Sequence, residues 1–187
     1  ENAGLTTFVI PESVTYLGSN VLKATKITEI NIPANVESIG DGAFANCSSL
    51  VTVTFAPGTK PLTLGTLANT NTSNGIFYNT KIAELIVGDR VTLIGAYAFY
   101  NQKSLTTLTM GPNSQVTDIG RYAFGGGSAT KLANLTLGPN LKTIHPYALA
   151  RIAATTITIP KSVEPVDEYA FNYATAKEVI FEGGGTA

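Results

Sequence analysis

The sequence contains no tryptophan, and only one each of cysteine, histidine and methionine. A lone cysteine excludes an internal disulfide, so cysteine usage says nothing about the redox compartment. One cysteine and one histidine cannot build a transition-metal site unless carboxylates supply the remaining ligands. Charge is also scarce, at 13% of residues with a formal net charge of −1. This balance excludes the basic footprint expected for nucleic-acid binding or for an anionic membrane surface. No apolar run approaches the roughly 18 residues needed to cross a bilayer. The 187 residues suffice for one domain with a substantial core. The chain opens at Glu1 with no basic and apolar leader, so it reads as a processed chain or a segment of a longer one.

Repetition is what the sequence has in abundance. The stretches SIGDGAFANC (38–47), LIGAYAFYNQ (93–102) and DIGRYAFGGG (118–127) are versions of one phrase. Units start near Leu5, Ile27, Leu50, Ile82, Leu105, Leu132, Ala154 and Ala176, most of them 22 or 23 residues long. Each opens on a segment such as ITEINIP (27–33) or ATTITIP (154–160), apolar at positions one, four and six with Thr favoured between. Thr, Val and Ile suit a pleated, half-buried surface, so this segment predicts a short β-strand. Pro or Gly at position seven ends it.

Two apolar residues three apart follow, for example Val36 and Ile39 or Val91 and Ile94, and usually then a glycine. A small–large pair comes next, as in Ala43-Phe44, Ala98-Phe99 and Ala123-Phe124. A short helical or 3-10 turn, with Ala against the next coil and the aromatic in the core, accounts for that pair. No single unit can bury its apolar positions alone, whereas stacked units share a continuous core. The predicted fold is a repeat solenoid of about seven to eight coils, with aligned parallel strands about 4.8 Å apart.

The pattern L-x-x-I-x-I-P-x-x-V-x-x-I-G-x-x-A-F-x-x-C, matched almost throughout by ITEINIPANVESIGDGAFANCSS (27–49), resembles the leucine-rich repeats of BspA-like surface proteins. The resemblance covers essentially the whole chain. It implies a curved solenoid, export to a bacterial cell surface, and adhesion to or recognition of host or matrix proteins. It carries over no catalytic residues and no cofactor. The chain departs from the pattern in keeping the terminal Cys only as Cys47, in replacing the Gly by His145 and Asp167, and in stretching the third unit.

Packing explains the chemically suggestive residues. Cys47 and His145 lie four units apart, on the order of 20 Å at strand spacing, beyond the reach of a nucleophile–base pair. Cys47 is predicted on the core side and His145 in a turn. Asp167 and Glu168 are predicted to face solvent, as are Asp41 and Gly42. GGGSAT (125–130) lacks the Lys-Ser/Thr ending of a phosphate loop and reads as a repeat junction. Asn71 and Asn134 stand in glycosylation sequons that matter only in a host that glycosylates. The protein is therefore expected not to be an enzyme.

Two surface features are candidate binding sites. Half of the sixteen outward positions on the repeat-opening strands are Thr, including Thr107, Thr109, Thr156 and Thr158. A regular Thr lattice orders water in some β-helical proteins, but Glu29, Glu84 and Glu178 interrupt this one, and Thr is an ordinary exposed strand residue. The second feature is a tyrosine stripe, since Tyr97, Tyr122, Tyr147 and Tyr169 fill one slot in four consecutive units. It offers a place for a sugar chain or a partner's apolar ridge, or packs on itself. The polar insertion TLANTNTSNG (66–75) is expected as a surface loop. The terminal segments Glu1–Gly4 and FEGGGTA (181–187) look too slight to cap a solenoid, which favours a segment of a longer surface protein over end-to-end pairing in a dimer. Together these features point to a recognition or adhesion module for a protein or matrix partner, with a structural spacer or a carbohydrate-binding module as alternatives.

Overall fold

The computed structural model describes residues 4–183 and is a right-through stack of about seven coils. Numbered along the chain, the strands that open the repeats are β2 (Glu29–Ile32), β4 (Thr52–Phe55), β6 (Glu84–Val87), β8 (Thr107–Met110), β10 (Asn134–Thr136), β12 (Thr156–Ile159) and β13 (Glu178–Phe181). They pair in parallel and in the repeat register, for example Ile30 opposite Val53 and Leu85 opposite Leu108. Alternation follows from the pleat: in β2 the residues Ile30 and Ile32 are buried while Glu29 and Asn31 are exposed. The first unit departs from the expectation, because its segment 5–11 forms no strand. That segment is tied to the next coil where Leu5 offers its carbonyl to Lys26 N at 2.8 Å.

The opening strands do not make one continuous sheet. They form β2–β4, then β6–β8–β10, then β12–β13, with breaks after β4 and after β10. Continuity is carried by a second sheet of six parallel strands: β1 (Tyr16–Leu17), β3 (Ser38–Ile39), β5 (Leu62–Leu64), β7 (Val91–Ile94), β9 (Asp118–Ile119) and β11 (Thr143–Ile144). Val166 extends it by one bridge to Ile144. This second sheet occupies the segment with apolar residues three apart, a spacing without the period of a strand.

The small–large pair sits in hydrogen-bonded turns, and these turns make a third ladder along the stack. Phe44 N donates to Ile76 O (2.9 Å), Phe77 N to Ala98 O (2.8 Å), Phe99 N to Ala123 O (2.8 Å) and Phe124 N to Ala148 O (2.9 Å). Side chains repeat the same order inside. Phe44, Phe77, Phe99 and Phe124 stack at centroid spacings of 5.2, 4.9 and 5.2 Å, and all are buried. Burying each ring contributes about 1.5–3 kcal/mol. The glycine before the turn allows close approach between coils: a Cβ on Gly120 would stand 2.5 Å from Ala96 N. Among the described residues, the one 3-10 helix spans Thr72–Asn74 in the insertion, capped by the Asn71 side chain accepting from Ser73 N at 3.0 Å. The predicted tail lies, beyond Gly183, outside the described residues, as do the residues before Gly4.

Candidate functional site

The tyrosine slot is a left-handed turn position, held at φ 70° by Gly42 in unit two. Tyr97, Tyr122, Tyr147 and Tyr169 adopt the same region, with φ of 59°, 54°, 59° and 60°. A non-glycine residue there costs on the order of 1 kcal/mol. The conformation lays each ring on the next, at spacings of 5.4, 4.6 and 5.1 Å and within 13° of parallel. The ring faces are thus spent on one another, and solvent meets ring edges and hydroxyls. Tyr169, at the end of the row, is 59% exposed. The Tyr97 ring is buried but its hydroxyl is not, and none of these phenols makes a protein hydrogen bond among the described residues.

A second aromatic row runs beside the first. Tyr78 and Tyr100 stack at 6.2 Å, and Tyr100 stands edge-on to Tyr97 (5.5 Å) and to Tyr122 (6.0 Å). In unit five this row is interrupted by Gly125, Gly126 and Gly127, which offer no side chain. Beyond the gap that slot holds Ala150, and the next, left-handed slot carries Arg151 and Tyr173, with the guanidinium 4.7 Å from the Tyr173 ring centre. Beside the first row, the Arg121 guanidinium lies 5.5 Å from the Tyr122 ring centre and 6.0 Å from that of Tyr147. The missing side chains leave a groove of about 460 Å³ between the rows, walled by both arginines, by Tyr97, Tyr100 and Tyr173, and by Thr72 of the insertion. The insertion reaches this flank because unit three has Gly75 in the tyrosine slot, where a Cβ would stand 1.8 Å from Tyr97 O.

Electrostatics in the groove favour an anion. Among the described residues, neither Arg121 nor Arg151 forms an ion pair with a carboxylate. Partial burial, and then the neighbouring phenols, push the Tyr100 and Tyr147 hydroxyls up from the ordinary tyrosine value. They therefore stay protonated and able to donate at neutral pH. Aromatic edges carry the positive part of the ring quadrupole, so edges, hydroxyls and guanidiniums present the same sign.

The threonines are split. Thr107 and Thr109 lie on β8 between Glu84/Ile86 and Asn134/Thr136, while Thr156 and Thr158 lie on β12 opposite Glu178 and Ile180. These two strands belong to different sheets. The break after β4 opens a cleft of about 500 Å³ lined by Thr52, Thr54, Phe55, Glu84 and Ile86, with one carboxylate as its charged group.

The remaining candidates are structural. Cys47 is buried, donates to Leu22 O (3.1 Å) and contacts Thr25 Oγ1 (3.2 Å). Gln102 takes the equivalent place in unit four, bonded to Phe77 O and, at 3.0 Å, to Thr80 Oγ1. His145 is a turn residue, yet its two ring nitrogens lie 3.3 Å from Asp118 and 3.3 Å from Asp167, tying three coils together. Asp167 is thereby not simply solvated, in contrast to the expectation, whereas Glu168 is exposed. Asp41 and Gly42 likewise turn inward: Gly42 is buried, and Asp41 Oδ1 is buried without a partner. Burial raises the Asp41 pKa, partly offset by the Thr66 amide. Arg90 is buried and donates to the carbonyls of Pro33, Val36, Ala56 and Lys60, with the first two at 2.6 Å.

The sequence points to the first tyrosine row but not to Tyr100, Tyr173, Arg121, Arg151 or the glycine gap. A register of the units would have aligned Tyr78 with Tyr100 and shown Gly125 and Gly126 standing where other coils carry side chains.

The family model for the BspA type leucine rich repeat region matches in six copies, over residues 1–74 and 70–186. Among solved structures, the chain is similar to a leucine rich cell surface protein from Faecalibacterium prausnitzii, with 23% identity and a TM-score of 0.54, covering 93% of this chain and 53% of that one. It is also similar to a leucine-rich repeat protein from Bacteroides ovatus, with 17% identity and a TM-score of 0.58, covering 95% of this chain and 61% of that one. The chain thus spans little more than half the length of these relatives. Comparison with curated proteins finds no match.

Proposed function

The chain belongs to the BspA-type leucine-rich-repeat family, and we propose that it is a recognition module, exposed at a cell surface or secreted, that binds a protein partner through its tyrosine–arginine flank. Family and fold are those of repeat proteins rather than enzymes, and one structural relative is described as a cell surface protein. The observation that carries the reading is the gathering of Tyr97, Tyr100, Tyr122, Tyr147 and Tyr173 with Arg121 and Arg151 around one groove. Tyrosine and arginine are the residue types in which interface energy concentrates. The opening-strand face offers Thr, Asn and Glu instead, a composition that favours weak contact.

The test is saturable binding of the purified chain to an array of matrix and cell-surface proteins and glycans. Binding to a protein spot should disappear when Tyr97, Tyr122 and Tyr147 are all replaced by Ala, in a variant whose melting transition remains cooperative. Unchanged binding by that folded variant would remove the flank from the reading. Absence of any saturable binding would favour a structural spacer.

A further inference from the structure

We propose, resting on the flank reading above, that the groove between the two tyrosine rows accepts a short extended acidic segment of the partner protein, its carboxylates held by Arg121 and Arg151. Three features support this occupant. The guanidiniums line one groove, beside Tyr122/Tyr147 and over Tyr173, and neither has a carboxylate partner among the described residues. Ring edges and protonated hydroxyls line the space between them, adding donors of the same sign. The first row of four rings extends on the order of 15 Å at coil spacing, which matches roughly four or five residues of extended chain.

A sugar chain is disfavoured by the same geometry. Neutral rings recognise sugars by their faces, and here the faces stack on each other at 4.6 to 5.4 Å. A sulfated chain is held by dense basic fields, whereas this groove holds two guanidiniums in a chain of net charge −1.

Gly127 supplies a clean obstruction. Its backbone lies outside the left-handed region, and an added Cβ would meet only the Tyr100 hydroxyl, at an ordinary 3.6 Å. Gly127→Gln should therefore fold normally and fill the groove. Fluorescence anisotropy of labelled hexaglutamate, hexaglutamine and a chondroitin sulfate oligosaccharide distinguishes the possibilities. Hexaglutamate is expected to bind more tightly at low than at physiological salt, and hexaglutamine not to bind. Arg121→Gln and Arg151→Gln should each weaken hexaglutamate about tenfold, and Gly127→Gln should abolish its binding. Equal binding of the two peptides, or indifference to these substitutions, would overturn the proposal. So would arginine-dependent binding of chondroitin sulfate without hexaglutamate. If hexaglutamate fails while array binding still depends on the tyrosines, the acidic occupant falls and the flank reading stands. If array binding survives the tyrosine substitutions, the flank reading itself falls.

Discussion

Two aromatic ladders climb the same coils with nearly the same geometry. The phenylalanine ladder stacks at 4.9 to 5.2 Å and the tyrosine ladder at 4.6 to 5.4 Å. The first is fully buried and sits on ordinary turn backbone. The second reaches solvent and occupies left-handed positions at four consecutive coils. Stacking by itself therefore identifies neither a core nor a site. What separates the two is where the remaining ring surface goes: into other apolar side chains for the phenylalanines, and into a groove with two guanidiniums that have no carboxylate partner among the described residues for the tyrosines.

The sharpest test of this contrast is truncation of one rung from each ladder. Phe99→Ala leaves a cavity in the core and is expected to cost about 3–5 kcal/mol by denaturant unfolding, with partner binding per folded molecule unchanged. Should Tyr122→Ala prove equally costly, the outer ladder would be a second core and the contrast would dissolve. Arginine offers the same comparison with slightly smaller effects. Arg90→Ala strands the buried Val36 carbonyl, removes the second bond to that of Pro33, and should cost on the order of 3 kcal/mol, whereas Arg121→Ala should change the unfolding midpoint little. Arg90→Lys should recover only part of the loss, because one ammonium cannot reproduce a fork that serves several carbonyls.

Backbone strain gives a finer measure. Tyr122→Gly should be more stable than Tyr122→Ala by about 1 kcal/mol, since only the alanine retains the left-handed penalty at φ 54°. Chemical denaturation of the two variants reads that difference directly, and equality would mean the turn relaxes once the ring is gone. The smallest effect is expected at Asp41, on the boundary between inside and outside. Its pKa is raised above 3.8 in the fold, so the folded chain keeps a proton that the unfolded chain has released. Stability must then fall as pH rises through that window. Asp41→Asn should raise the melting temperature slightly at neutral pH and leave it unchanged below pH of about 3, where both forms are neutral.

Much of this architecture was readable in one dimension. Each coil must end its strand, turn, and place a large side chain in a shared core, so those demands recur with the repeat and appear as Pro or Gly, then Ala-Phe. Left-handed turn positions also left a trace, because Gly42 aligns with the tyrosines and Asn46, Asn79 and Asn101 fill the second such slot, each at φ near 60°. The second sheet left none: β3, β9 and β11 hold two residues each, too short for any period, and form because neighbouring coils supply the partners.

The candidate site was half readable for a related reason. A row of identical residues in one slot is visible as a pattern, and the first tyrosine row was found that way. The groove is instead a difference between coils, made by Gly125–Gly127 lacking what Tyr100 and Arg151 carry one coil away on either side. The same holds for the links His145 makes to Asp118 and Asp167, across 27 and 22 positions of sequence. Periodicity alone determined the solenoid, the phase of its coils and the inward face, because burial imposes the same demand on every repeat. Tertiary structure decided where the sheets break, which aromatic faces stay open and where two arginines converge, because these depend on departures from the repeat that act only across stacked coils.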